Sequence, residues 1–73
     1  MMYNYSKLRG KIIEIYGSYG AFADVLGVSR QTVSNLLTSK RQFTANTIEI
    51  WAEKLDIPVA EIGLYFFTQK VNK

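Results

Sequence analysis

The middle third of the chain carries cationic and amide side chains but no carboxylate. Between Asp24 and Glu49 there is no acidic residue, although the protein has six Asp and Glu residues in total. Arg30, Lys40 and Arg41 all lie in this interval, together with Ser, Thr, Gln and Asn. These side chains supply positive charge and hydrogen-bond donors, so the interval favours a polyanionic partner. The net charge of +3 supports this only weakly, because distribution matters more than the sum.

The composition argues against an enzyme. The sequence contains no Cys and no His, which excludes disulfides, thiolate zinc sites and imidazole general bases. It also has no glycine-rich phosphate loop and no metal-ligand cluster. Glu49 and Glu53 are four residues apart, but such a pair is more typical of a solvated helix face than of acid–base catalysis. We therefore predict no catalytic residue, no cofactor, no metal and no small-molecule substrate.

The length of 73 residues predicts one domain spanning 1–73 that depends on its hydrophobic core. Such a core is available, because 48% of the residues are hydrophobic and 14% are aromatic. Glu14 and Gly17 interrupt any apolar segment that follows the N-terminal Lys and Arg residues, so no targeting segment is expected. No apolar run approaches the length of a membrane span. We expect a soluble cytoplasmic protein without a membrane partner.

Apolar residues at helical spacing, divided by start and stop signals, predict an all-α fold of five short helices. The predicted helix starts are Ser6, Tyr19, Ser29, Thr44 and Pro58, and the predicted stops are Gly17 and Gly27. The residues expected to face the core are Leu8, Ile12, Ile15, Tyr16, Phe22, Ala23, Leu26, Val33, Leu36, Leu37, Ile48, Trp51, Ala52, Leu55 and Ile62, with one or both of Tyr65 and Phe66. Only the segment 64–71 has the aromatic and β-branched content of a short strand.

The order of residues between the second and third helices predicts a helix-turn-helix at about 19–37. Ala23 is small enough for two helices to approach each other closely. Gly27, four positions later, can adopt the left-handed conformation of a tight turn. We expect Val28 to fill the angle between the helices and Ser29 to cap the third helix.

Residues 19–57 resemble the lambda-repressor-like (Cro/C1, Xre-type) helix-turn-helix family. The stretch "FADVLGVSRQTVSNLLTSKR", followed by "IEIWAEKLDIP", is similar to that family's "LA-x-x-LGVS-x-x-x-[IV]-S-x-[LW]" run and to its later "I-x-x-[LI]-A-x-x-L-x-[IV]" helix. The flanks "YNYSKLRGKIIEIYGSYGAFA" and "EIGLYFFTQKV" further resemble small Cro-like or modulator-of-repression proteins of temperate phages of Gram-positive bacteria. The resemblance implies a DNA-binding domain built around the helix-turn-helix.

In this family the third helix enters the DNA major groove, and residues near its N-terminus read base edges. The resemblance implies DNA-base or partner contacts at Arg30, Gln31, Ser34 and Asn35. It implies phosphate or partner contacts at Tyr19, Ser29, Thr32, Lys40 and Arg41. Arg can bind guanine O6 and N7 together, and Gln or Asn can do the same with adenine N6 and N7. Any carboxylate between 25 and 48 would face the DNA backbone, which explains the acid-free interval.

Two positions depart from the family pattern. The second helix of the family commonly opens with a phosphate-binding Gln, whereas this chain has Tyr19, which offers only a hydroxyl. The third helix often ends in Glu followed by Asn-Gly, whereas this chain has Leu37. An apolar residue there either enlarges the core or belongs to a surface used for protein contact.

Three functions stay open at this point. The first is a phage-type transcriptional regulator of the Cro kind, which binds operator DNA as a dimer in a lysis–lysogeny switch inside the bacterial host cell. The second is an antirepressor, a modulator that uses the same helix-turn-helix surface to bind a partner repressor and block or alter its DNA binding. The third is a small structural domain that has lost its DNA function, its polar third-helix face being only solvated.

The last third of the chain supplies apolar and acidic surface. Tyr65, Phe66 and Phe67 hold more apolar area than one short helix end can bury, so we expect either packing against the first helix or a homodimer contact. A tail of about 67–73 follows. Trp51 is expected in the core and not on a stacking surface. Four acidic residues are expected on the solvated side of the last two helices, so that DNA approaches the opposite face: Glu49, Glu53, Asp56 and Glu61.

Overall fold

The computed structural model of the chain describes residues 3–38 and 40–68. Within these ranges the backbone forms five α-helices: α1 (Ser6–Tyr16), α2 (Tyr19–Leu26), α3 (Arg30–Leu37), α4 (Ala45–Lys54) and α5 (Ile62–Phe66). A 3₁₀ turn, Val59–Glu61, leads directly into α5, and the described residues contain no strand. The prediction of an all-α fold with five short helices is therefore confirmed. None of the described helices combines the length and apolar character needed to cross a membrane.

Hydroxyl side chains cap three of the helices. The Oγ of Ser29 accepts a hydrogen bond from the backbone N–H of Thr32 at 3.2 Å, and the Oγ1 of Thr44 accepts one from Thr47 at 3.1 Å. Each contact satisfies one of the N–H groups that the first helical turn leaves without an intrahelical partner. Both predicted caps are confirmed. A third cap, at Ser18, accepts from the N–H of Ala21 at 3.1 Å and starts α2.

The start of α1 differs from the prediction that Ser6 is its cap. Ser6 is already the first helical residue, and its backbone N–H donates to the Oδ1 of Asn4 at 2.9 Å. The amide side chain of Asn4 does locally what a capping hydroxyl would have done, because Asn bonds readily to backbone groups two residues ahead. The predicted start of the helix at Ser6 is therefore confirmed, whereas the capping side chain is that of Asn4 and not that of Ser6.

Two glycines end the first two helices in the left-handed conformation. Gly17 has φ of +85° and ends α1, while Gly27 has φ of +75° and ends α2. The N–H of Gly17 donates to the carbonyl of Ile13, and the N–H of Val28 donates to that of Ala23, so one carbonyl in the last turn of each helix is satisfied from the turn that follows. Glycine is favoured at both positions because a side chain there would be strained.

The core is a layer of apolar side chains between all five helices, with aromatic rings at its centre. The rings of Phe22 and Phe43 both meet Trp51 edge to face with centroids 4.9 Å apart, and Phe43 meets Phe66 at 5.2 Å. Edge-to-face contacts of this kind add to the stability gained from area burial alone. Trp51 is 2% exposed, so its prediction as a core residue is confirmed. Buried residues predicted from the pattern include Leu8, Ile12, Ala23, Val33, Leu36, Leu37, Ile48, Ala52 and Leu55.

Two apolar residues expected inside lie at the surface. Ile15 is 42% exposed, because Leu8 and Ile12 already form the buried stripe of α1. Val28 is also 42% exposed and therefore does not fill the angle between α2 and α3 as predicted. Three further residues expected inside are partly buried against the core: Tyr16, Leu26 and Ile62.

The C-terminal part folds as a helix over residues where the sequence allowed a strand. Pro58 has extended backbone angles and precedes the 3₁₀ turn, and α5 then buries Tyr65 and Phe66. Phe67 is 49% exposed and meets the ring of Tyr3 edge to face at 5.8 Å. Packing therefore accounts for Tyr65 and Phe66. The part of the predicted strand and tail beyond 68 lies outside the described residues.

Candidate nucleic-acid interface

The turn between α2 and α3 fixes where α3 begins. Gly27 reverses the chain in the left-handed conformation, and the N–H of Val28 bonds back to Ala23 at 3.1 Å. Ala23 is 1% exposed, and α3 packs more extensively against α2 than against any other helix described. Ser29 then caps α3, so Arg30 is its first residue. The local sequence thus places the N-terminus of α3 immediately after a tight turn.

Burial divides α3 into an inner and an outer side. Val33, Leu36 and Leu37 are buried, whereas Arg30 and Gln31 are exposed. Ser34 and Asn35 are half-buried. Arg30, Gln31, Ser34 and Asn35 are called the α3 outer face below. The four candidate base or partner contacts therefore lie on the part of α3 that is not committed to the core.

The start of α2 meets the α3 outer face. Tyr19, Arg30, Gln31 and Ser34 line one open depression on the surface. Tyr19 is the first residue of α2 and is partly buried against the core. The structure therefore brings the predicted phosphate contact Tyr19 beside three of the predicted base contacts.

The side chains of Gln31 and Asn35, two residues of the α3 outer face, bond to each other. The Nε2 of Gln31 donates a hydrogen bond to the Oδ1 of Asn35 at 2.9 Å. The two amides are four residues apart on one helix face, a spacing at which such pairs form. One donor of Gln31 and one acceptor site of Asn35 are used by this bond, and each amide keeps further capacity for a ligand.

Ser29 and Thr32 are engaged with each other. Their hydroxyl oxygens are 3.0 Å apart, in addition to the capping bond from the Thr32 N–H to the Ser29 Oγ. Thr32 faces a groove between α3 and α4, away from the depression that Arg30 and Gln31 line. The structure therefore separates Thr32 from the α3 outer face, and the first role of the Ser29 hydroxyl is to cap α3.

The backbone holds Lys40 and Arg41 at the C-terminal end of α3. The carbonyl oxygen of Asn35 accepts hydrogen bonds from the N–H groups of both residues, at 2.9 and 3.2 Å respectively. Both side chains are exposed. The two exposed cations thus lie in the loop after α3, and Arg41 lines the same groove as Thr32 and not the depression lined by Arg30 and Gln31.

Arg9 contributes to the site region although no motif in the sequence points to it. Its Nη2 donates to the carbonyl oxygen of Leu37 at 3.0 Å, in a partly buried position. The guanidinium thereby satisfies a C-terminal carbonyl of α3 and places positive charge at the negative end of the helix dipole. The sequence offered only a general indication, because Arg side chains suit helix C-termini. It does not show which helix end the side chain of Arg9 would bond to.

Leu37 itself is 2% exposed. Of the two interpretations of this residue, the structure supports core enlargement and contradicts a role in a protein-contact surface. The described residues also contain no group of three or more His, Cys, Asp or Glu side chains arranged to hold a metal ion.

Comparison with known proteins identifies a family. No curated protein matches the chain. A family model described as "Protein of unknown function (DUF739)" matches residues 1–69 of the 73. Because this match spans nearly the whole sequence, the chain belongs to the DUF739 family.

Proposed function

We propose that this protein is a transcriptional regulator of the Cro kind that binds operator DNA through the α3 outer face, in a phage lysis–lysogeny switch inside the bacterial host cell. The observation that carries the proposal is the shared depression lined by Tyr19, Arg30, Gln31 and Ser34. A helix that follows a tight turn and packs across a preceding helix is the arrangement that places a recognition helix in the major groove. The pair α2 and α3 has this order and this turn.

Each residue of the outer face has a defined role in this proposal. Arg30 binds a guanine through its two-pronged guanidinium. Gln31 and Asn35, joined at 2.9 Å, present their remaining donors and acceptors to adenine edges as one unit. Lys40 and Arg41 neutralise phosphates, which gives affinity without sequence preference. The proposed role is binding alone, without catalysis or a cofactor.

The charge distribution along the chain supports DNA contact through α3, which carries Arg30 and no carboxylate. Glu49 and Glu53 are exposed on α4, and Asp56 and Glu61 are exposed in the segments that follow it. A surface with separated charge steers a polyanion toward its positive part. Asp24, at the other limit of the acid-free interval, is exposed on α2.

A second candidate is an antirepressor that docks the α3 outer face onto a repressor protein. The observation that favours it is the small charge of this face. Arg30 is the only ionic residue of α3, and the amides of Gln31 and Asn35 already bond to each other. Such a surface neutralises fewer phosphates than a DNA contact usually does. Its polar side chains suit a polar protein interface. Leu37, being buried, no longer supports this candidate.

The proposed function includes a homodimer. Tyr65 and Phe66 are buried in the protomer, so a dimer contact would use Leu64 and Phe67, which are 53% and 49% exposed. A dimer would let two copies of α3 meet two operator half-sites one helical turn apart.

A gel-shift titration separates the two candidates. Labelled duplexes from a phage operator region are mixed with the protein, with and without the repressor of that phage. The Cro kind predicts a shifted band with protein alone that weakens as salt rises. The antirepressor predicts no band alone and loss of the repressor's own band. Glu49→Ala, at an exposed residue of α4, is the control and should behave as wild type in either case.

A further inference from the structure

A groove between α3 and α4 is separate from the α3 outer face. Its apolar walls are formed by Leu26, Val28, Leu36, Ile50 and Trp51. Its volume is about 210 Å³. An apolar cavity of about 150 Å³ is large enough to take up benzene, so this groove has room for one aromatic ring or large aliphatic side chain.

Two residues make the groove unusual for a solvated surface. Val28 and Ile50 are each 42% exposed, and both line this one concavity. Single exposed apolar residues are ordinary, but apolar residues that face each other across a concavity gain from covering by a further apolar group. Val28 belongs to the turn before α3 and Ile50 to α4, so the groove is built by elements that the core already fixes.

The rim of the groove is cationic and rich in hydroxyls. Thr44 and Thr47 bond to each other with their hydroxyl oxygens 2.9 Å apart, and Thr32 bonds in the same way to Ser29. These hydroxyls are therefore committed to helix caps. Arg41 is exposed and is the one charged residue among the described groove-lining residues. No carboxylate belongs to that described lining, so the rim complements an anionic group.

We propose that this groove docks a segment of a partner protein that presents one large apolar side chain followed closely by a carboxylate. The apolar side chain enters between Val28 and Ile50, and the carboxylate meets the guanidinium of Arg41. Arg is the cation best suited to a carboxylate at an interface, because its guanidinium bonds to both oxygens. This inference goes beyond the proposed DNA contact. The two proposals share Arg41, which the DNA proposal assigns to a phosphate, but the apolar part of the groove between Val28 and Ile50 contains no residue of the α3 outer face.

A peptide titration followed by amide chemical shifts tests the proposal. The probe is acetyl-Ala-Phe-Asp-Asp-amide, and its two controls are the peptides with Asn-Asn in place of Asp-Asp and with Ala in place of Phe. We expect saturable shifts at Val28, Ile50 and the Trp51 indole with the probe. We expect affinity about two- to fivefold lower without the carboxylates, and no saturation without the ring.

Variants then assign the two parts of the contact. Ile50→Gln should lower the affinity for the probe about fivefold or more, whereas Ile13→Gln, at a comparably exposed position on α1, should leave it unchanged. Arg41→Gln should abolish the preference for Asp-Asp over Asn-Asn. Shifts that lie elsewhere, or that Ile50→Gln leaves unchanged in a variant that melts as wild type does, would overturn the proposal. Because no DNA is present, this result is independent of operator binding, and Ile50→Gln should bind operator DNA normally if the DNA proposal holds.

Discussion

The Nη2 atom of Arg9, in the first turn of α1, donates a 3.0 Å hydrogen bond to the carbonyl oxygen of Leu37, the last residue of α3. The two residues are 28 positions apart, so this bond joins the N-terminal helix to the end of the helix proposed to contact DNA. The side chain of the same residue, Leu37, is buried in the apolar core. Arg9 therefore positions α3 from the end opposite to its capping residue Ser29.

Arg9→Ala should lower the free energy of unfolding by about 1.5–3 kcal/mol, the range for a hydrogen bond that involves a charged group. The reason is that one carbonyl at the end of α3 loses its partner in a partly buried place. Urea unfolding measures the change. Lys11→Ala, also on α1, is the control and should cost less. If the two variants unfolded at the same urea concentration, the bond would contribute nothing measurable.

Trp51→Ala should destabilise the protein by about 3–5 kcal/mol, which is comparable to the total stability of a small domain. The indole is 2% exposed and its ring meets both Phe22 and Phe43, so its removal leaves a cavity at the centre of the core. Thermal melts are the measurement. Val59→Ala, at a residue that is 86% exposed, provides the control and should melt near the wild-type temperature. A Trp51→Ala melt equal to wild type would mean that the core is assigned to the wrong helix faces.

Charge reversal at Lys40 or Arg41 should weaken DNA binding to all sequences about equally and flatten its salt dependence. Phosphate contacts carry no sequence information, and removing one of them lowers the slope of log affinity against log salt by about 1. Binding is measured for operator and random duplexes over a salt series. Lys54→Glu, at an exposed residue of α4, is the control for net charge. Weakening for one operator alone would reassign these residues to base readout.

The alkaline limit of stability should depend on Tyr5. Burial raises the pKa of the Tyr5 phenol above its ordinary value of about 10, and the neighbouring Tyr3 raises it further. The folded state therefore holds this proton more tightly than the unfolded state does. The resulting stabilisation is fully present below about pH 10 and is lost as the pH rises through the folded-state pKa.

Tyr5→Phe removes the titrating group and keeps the ring, which packs edge to face against Phe43 at 5.4 Å. Urea unfolding between about pH 8 and about pH 11 should therefore show a shallower loss of stability in the variant than in wild type. Parallel curves for the two proteins over that range would show that Tyr5 does not contribute to the alkaline transition.

The middle of the fold was predictable because its signals are local. Gly27, Ser29 and Thr44 act through backbone groups within four residues of themselves, and the structure places each where the pattern predicted. Short-range chemistry of this kind can be read from spacing alone. The inner side of α3 was predictable for the same reason, since its buried residues repeat with the period of the helix.

The contacts that the sequence did not predict depend on other helices. The bond from Arg9 to Leu37 depends on how α1 crosses α3, which no local pattern specifies. Ile15 fits the apolar stripe of α1 but finds no neighbour to cover it. Tyr65 and Phe66 lie in a segment with strand-like composition, yet the core fixes them on a helix. The joining of Gln31 to Asn35 fits helical spacing, but the functional use of that pair remains a proposal.

Operator recognition by the α3 outer face can be tested by selecting bound duplexes from a random-sequence DNA pool. We predict that the wild-type protein enriches one motif in repeated rounds, with a guanine and an adenine among its preferred bases. Arg30→Ala/Gln31→Ala, with a melting temperature like that of wild type, should lose this enrichment and keep only weak binding that salt abolishes. Gln31→Ala or Asn35→Ala alone should cost about 1–3 kcal/mol on the selected site. No enrichment by the wild-type protein, or the same motif enriched by the folded double variant, would contradict base recognition by α3.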